Sequence, residues 1–322
     1  MTALDRDLSF RFPLVSGEDV RAVQLALVRA GVLRADADGV FGPRTRDAVA
    51  SLQRGAGLPP DGVLHRGTWE RLLPATPPAL RPIVLADWRA ALRPFLPRLC
   101  APHGPPVGRG TRRWRLAAAG VVLDGDGAPL RSPGPPRTAS LAWERFGAPL
   151  QAAAVRSGVP VELLLATACT ESGGRADAVR EEPGYVSDAE TPQRVSPGLM
   201  QTLIGTAREA LGDPTLDRAR LLDPGVSALA GAKLIRRQAV AGRCPTAFDP
   251  PLVCVAYNAG SLRENPAGSD DCPWGLAQTR RDARHWHADA FVAFFNDAVA
   301  VLADEPPDAA TPSFNRLLSE NA

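Results

Sequence analysis

The stretch PVELLLATACTES, residues 160–172, limits more than any other what this chain can fold into. Pro160 suits the start of a helix, where its missing N–H costs nothing. Gly173 and Gly174 stop the helix, because glycine readily takes the left-handed conformation that ends one. Between Glu162 and Glu171 the run carries no charge. A helix apolar on every side has no face to offer water and must sit in the middle of a globule. Its far end then delivers one carboxylate, Glu171, where the backbone opens. Partial desolvation there favours a protonated carboxyl, the form a general acid needs. A solvated glutamate at a helix end is the more ordinary case, so Glu171 alone identifies no chemistry.

Helical periodicity continues around this run. LAWERFGAPLQAAAVRSG precedes it, and GTAREALG, DPGVSALAGAKLIRRQAVAG and ADAFVAFFNDAVAVLAD follow, predicting an all-helical domain over residues 141–322. Residues 76–140 are rich in proline and read as a semi-rigid, extended linker without chemistry of its own. Within it ADWRAALRPFL is expected to form one short helix, and RRWRLAAAGVVLDGDGAPLR a β-hairpin turning at Asp124–Gly127. Residues 1–75 contain a repeat: DGVFGPRTRDAV (38–49) and DGVLHRGTWERL (61–72) align at a 23-residue offset. Asp-Gly suits a tight turn, and the Thr at the eighth place of each copy falls in the opening turn of a helix. Val20, Val23, Leu27 and Val28 recur at helical spacing after SGED. Three short helices joined by two similar loops are expected, so the fold class is mainly α throughout.

A length of 322 residues suits two domains, and a net charge of +2 gives no reason to expect nucleic acid as a partner. No apolar run reaches the roughly 20 residues of a membrane span. The start, MTALDRDLSFRFP, carries charges where a signal peptide needs an apolar segment. Synthesis and folding in the cytoplasm are therefore expected, with any export by another route. CAPH (100–103) and HWH (285–287) lack a second ligand pair at zinc spacing, so no metal and no cofactor are expected. Reduced thiols are the default for Cys100, Cys169, Cys244, Cys254 and Cys272, a disulfide among the last three being the alternative.

Two sets of motifs carry resemblances. GEDVRAVQLALVRAG, DGVFGPRTRDAVASLQ and GLPPDGVLHRGTWERLL resemble the peptidoglycan-binding domain of cell-wall hydrolases over residues 17–73, departing from it only at Leu52, where that family usually has an aromatic. Glu171-Ser172, Gly198-Leu199-Met200-Gln201, a helix containing Gly231, and Ala256-Tyr257-Asn258-Ala259-Gly260 resemble, in that order, the lytic transglycosylase domain with a goose-lysozyme-like fold. Each tag alone is weak, and Met200, Gln201 and Tyr257 read singly as core filler, helix cap and half-buried aromatic. Together they imply an enzyme cutting the MurNAc–GlcNAc bond of peptidoglycan glycan strands, acting as a monomer.

The resemblance implies one catalytic acid/base, Glu171, and a sugar cleft formed by Ser172, Met200, Gln201, Tyr257 and Asn258, with Tyr257 close to the carboxyl or the sugar's acetamido group. It also implies cleavage without water, the C6 hydroxyl closing a 1,6-anhydro ring. One departure stands out: Gly198 follows Glu171 by 27 residues, more than is usual, and the surplus holds Glu181, Glu182, Asp188 and Glu190. As a surface loop it changes nothing; as a lid it brings a second carboxylate and a hydrolysing muramidase. A binding module ahead of such a domain resembles the modular endolysins of phages, which act on the wall in the periplasm after release; virion-associated or injected wall-opening enzymes use the same parts. The rival to an enzyme is a wall-binding structural protein with a dead cleft.

Overall fold

The computed structural model describes residues 6–11, 14–17, 19–20, 23–24, 27, 32–33, 39–55, 57–65, 88–105, 112–125, 128–241, 244–263, 274, 276 and 286–320. The chain forms two compact units, residues 1–82 and 83–322.

In the first unit, helix α1 (Pro43–Gly55) starts on a proline and buries Ala48 and Val49 against Leu8, Val20, Leu27 and Phe41. The two Asp-Gly-Val loops are held alike. Gln24 accepts from Gly39 N (2.8 Å) and donates to the Val40 carbonyl (3.0 Å). Gln53 accepts from Gly62 N (2.9 Å) and donates to the Val63 carbonyl (3.0 Å). Gly39 and Gly62 sit at φ +75° and +70°, where a side chain would be strained. Each loop of the repeat is thus gripped by one buried glutamine amide. Residues 19, 20, 23, 24 and 27 are helical, as the spacing predicts. Val28 and the helix expected after the second loop lie outside the described residues.

The second unit is built on helices α2 (Trp88–Leu92), α3 (Leu96–Cys100), α4 (Arg137–Ser157), α5 (Val161–Ser172), α6 (Ile204–Leu211), α7 (Arg218–Leu221), α8 (Pro224–Val240), α9 (Pro250–Ala259), α10 (His287–Asp304) and α11 (Phe314–Ser319). Two antiparallel ribbons accompany them: β1 (Trp114–Ala117) with β2 (Gly120–Leu123), and β3 (Val179–Glu181) with β4 (Val195–Pro197). The apolar run of the sequence is α5. Its residues 161–169 are all buried, and its largest interfaces are with α10 and α4. Glu162, fully buried in its first turn, accepts from Ser313 Oγ (2.6 Å) and Asn315 N (3.0 Å), and so caps α11. Among the described residues no helix is long and apolar enough to cross a membrane.

The proline-rich segment departs from the expected extended linker. From residue 88 it belongs to the second core, burying Trp88, Leu92, Leu99, Trp114 and Leu116. Its prolines do not prevent this: Pro94 and Pro97 occupy first turns of short helical pieces, where no N–H is needed. The expected helix is α2. The hairpin turns at residues 118–119 rather than at Asp124–Gly127. Its register is set by Asn296 of α10, which accepts from Val121 N (2.7 Å) and donates to the Val121 carbonyl (3.1 Å). Gly120 makes room for that amide; a Cβ there would meet Asn296 Oδ1 at 2.2 Å.

The same segment anchors α9. Asp249, at the N-terminal end of α9 and 1% exposed, accepts from Trp114 Nε1 (2.8 Å) and from His103 Nε2 (2.7 Å). His103 Nδ1 faces the Ala101 carbonyl at 2.8 Å, so both ring nitrogens meet acceptors and the imidazolium is favoured. Burial pulls the His103 pKa down, but the hydrogen bond and charge of Asp249, with the Ala101 carbonyl, outweigh it and leave the pKa raised. A raised histidine stabilises the fold fully below its unfolded value of about 6.5 and loses that contribution as pH climbs through the folded value. Unfolding monitored by tryptophan fluorescence is expected to show wild type losing stability relative to His103→Gln as pH rises above about 6.5. A wild-type advantage independent of pH would contradict this account.

Candidate active site

Glu171 is the next-to-last residue of α5. The Gly173 and Gly174 amides close the helix by donating to the Cys169 and Ala168 carbonyls, both at 3.1 Å, with φ of +66° and +73°. The Glu171 side chain is 16% exposed and opens on a cleft of about 610 Å³. Gln201, Tyr257 and Asn258 line this cleft with it, as do Arg180, Glu182 and Arg237.

Three of the five substrate-contact residues inferred from the motifs therefore reach the cleft, and two stand behind it. Ser172 is buried; its hydroxyl lies 2.8 Å from the Leu199 carbonyl and accepts from Arg175 N at 3.1 Å, tying the end of α5 to the loop 198–201. Met200 is fully buried, and its N–H donates to Ser227 Oγ at 3.0 Å. Adjacent motif residues point opposite ways because the backbone reverses at Gln201, whose φ of +48° is rare for a side-chain-bearing residue. The Gln201 amide clamps the ribbon, donating to the Ala178 (2.9 Å) and Gly198 (2.8 Å) carbonyls.

Tyr257 does not bond the Glu171 carboxyl. Its hydroxyl donates to the Met200 carbonyl (2.9 Å) and meets Thr202 Oγ1 at 2.7 Å. Burial first, and the nearby Glu171 charge, push its pKa far above the ordinary phenol range, so it stays protonated. Gly231 of α8 explains the close fit: a Cβ there would stand 2.7 Å from Met200 Cε and 3.0 Å from Tyr257 Oη.

The long acidic stretch is a ribbon with its connecting loop. Arg218 binds Asp188 (2.7 Å) and Glu181 (3.0 Å), and Tyr185 donates to Asp188 at 2.8 Å. The Arg218 hydrogen bond, over the opposing effect of burial, holds Asp188 below the usual carboxylate range. Of the four acidic residues only Glu182 lines the cleft, paired with Arg180 at 2.9 Å.

His287, the first residue of α10, was missed by motif reasoning. Its Nε2 lies 3.3 Å from Glu171 Oε1, and its side chain is 13% exposed. The HWH triplet was the available signal, but a metal test is the wrong test for one imidazole meeting one carboxylate. Cys169 and Cys254 are buried free thiols, and Cys100 and Cys244 are also free; Cys272 lies outside the described residues.

The second unit is a helical, lysozyme-like fold whose central buried helix ends in a carboxylate on a polar cleft. Residues 148–271 match the transglycosylase SLT domain, and residues 16–72 the putative peptidoglycan binding domain. The chain thus carries a transglycosylase SLT domain with a peptidoglycan-binding domain ahead of it. An uncharacterised protein in the bpoA1 3′ region of Kitasatospora aureofaciens is similar at 41% identity over 58 residues, 18% of this chain and 49% of the relative. The chain thus spans about half the length of that curated relative.

Proposed function

We propose that Glu171 is the acid/base of a non-hydrolytic cleavage of the MurNAc–GlcNAc bond. The observation that carries this reading is a carboxylate, 16% exposed, opening on the cleft lined by Gln201, Tyr257 and Asn258. Its proton passes to the glycosidic oxygen as the bond to C1 breaks, while the sugar's 2-acetamido group stabilises the positive charge at C1. The carboxylate then takes the proton of the C6 hydroxyl as O6 bonds C1, closing the 1,6-anhydro ring. A nucleophile on the same ring has a large effective concentration and outruns water.

The engagement of the other carboxylates supports this choice over hydrolysis: Asp188 and Glu181 are tied to Arg218, and Glu182 to Arg180. The two domains together support a wall-opening role of the endolysin type, exercised by a monomer on the wall in the periplasm. The binding domain raises the local concentration of the cleft at the glycan. Mass spectrometry of sacculus digests is expected to find 1,6-anhydroMurNAc ends, lighter by one water than reducing ends. Muropeptides dominated by reducing MurNAc would refute the reading, and Glu182→Gln would then be the variant to test for a water-activating base.

A further inference from the structure

We propose that His287 is a positioning residue for this reaction: its Nε2–H holds Glu171 Oε1 and leaves Oε2 as the oxygen that gives up and takes back the proton. The inference rests on Glu171 being the acid/base. Helices α5 and α10 share the largest helix–helix interface of their unit, and the end of one meets the start of the other at this pair. Both side chains are largely buried, at 16% and 13% exposure, so neither is free to swing away into solvent. Among the described residues, no other hydrogen bond to the Glu171 carboxyl accompanies the 3.3 Å contact to Oε1. That length is at the loose end of hydrogen bonding, as catalytic contacts often are before substrate binds.

The chemistry follows from the two equivalent oxygens of a carboxyl group. A carboxyl that must protonate a glycosidic oxygen works only if its proton sits on the oxygen facing the substrate. An N–H aimed at Oε1 excludes a second hydrogen there and sends the acid proton to Oε2. Both the Nε2–H tautomer and the imidazolium supply that N–H. In the second half-reaction the same bond occupies Oε1, so the C6 hydroxyl proton returns to Oε2. The opposite polarity, Oε1–H donating to Nε2, would trap the proton away from the substrate.

The test compares the full-length wild type with His287→Ala, His287→Gln, Glu171→Gln and the Glu171→Gln/His287→Ala double variant on soluble glycan strands. His287→Ala is expected to lose roughly 10- to 100-fold in kcat, the scale of a misplaced catalytic group, with KM and melting temperature little changed. His287→Gln, whose carboxamide N–H can reach Oε1, should recover part of that loss. The double variant should be no slower than Glu171→Gln alone, because a residue acting through Glu171 has nothing left to position. An unchanged or raised kcat in His287→Ala overturns the proposal. So does a loss confined to KM, a loss matched by a fall in melting temperature in both His287 variants, or a further loss in the double variant. An active Glu171→Gln removes the acid/base reading and this proposal with it, whereas an inactive Glu171→Gln beside a fully active His287→Ala removes this proposal alone.

Discussion

Glu171→Gln is expected to lower glycan cleavage by roughly 10²–10⁴-fold, the loss that follows removal of a general acid. The loss should lie at the upper end, because one carboxyl serves both proton transfers. Glutamine has nearly the same shape, and the carboxylate it replaces caps nothing and pairs only with His287 among the described residues. Folding and binding to sacculi should therefore persist. A turbidity assay on purified walls, with circular dichroism and a sacculus pull-down as controls, separates the two properties. A variant retaining more than about a tenth of wild-type rate would count against Glu171 as the acid, since that is far less than a general acid contributes.

Gly198→Ala is expected to destabilise the second unit by roughly 2–4 kcal/mol, combining a left-handed backbone with a steric clash. Gly198 sits at φ +87°, and a Cβ there would stand 2.0 Å from the Leu221 carbonyl oxygen and 2.9 Å from Ser227 Oγ. The first contact is with backbone, so no rotamer relieves it. The loop it would displace carries the Leu199 carbonyl that meets Ser172, the Met200 N–H held by Ser227, and the Gln201 clamp. Activity should fall with stability, because Gln201 lines the cleft. Thermal unfolding should show a drop of roughly 4–16 °C for a unit of this size. A melting temperature equal to wild type, with full activity, would mean that this loop can be displaced without cost.

The motif segments come together at one cleft, but their spacing does not encode the direction in which their side chains point. Ser172 and Met200 stand behind the cleft while Gln201 enters it, because a single residue at φ +48° turns the loop over. Tyr257, expected close to the carboxyl or to the sugar's acetamido group, lines the cleft with Glu171, and its hydroxyl is shared between the Met200 carbonyl and Thr202, a residue outside every motif. Glu182 reaches the cleft while Asp188 and Glu190 do not line it, since the stretch from 179 folds back as a ribbon on β4.

What could be read from the chain alone was local and periodic. An all-apolar helix must be buried, two Asp-Gly-Val turns must repeat one loop, and a glycine pair must end α5 beside Glu171. These follow from backbone conformation and burial within a few residues, which composition records directly. Pro94 and Pro97 were also legible, but their consequence was not: they open short helices instead of extending a linker, because Trp88, Leu99 and Trp114 find a core to enter. His103 holding Asp249, Asn296 setting the hairpin register and His287 meeting Glu171 join residues 116 to 175 positions apart. Such contacts depend on which helices pack side by side, and no spacing along the chain encodes that.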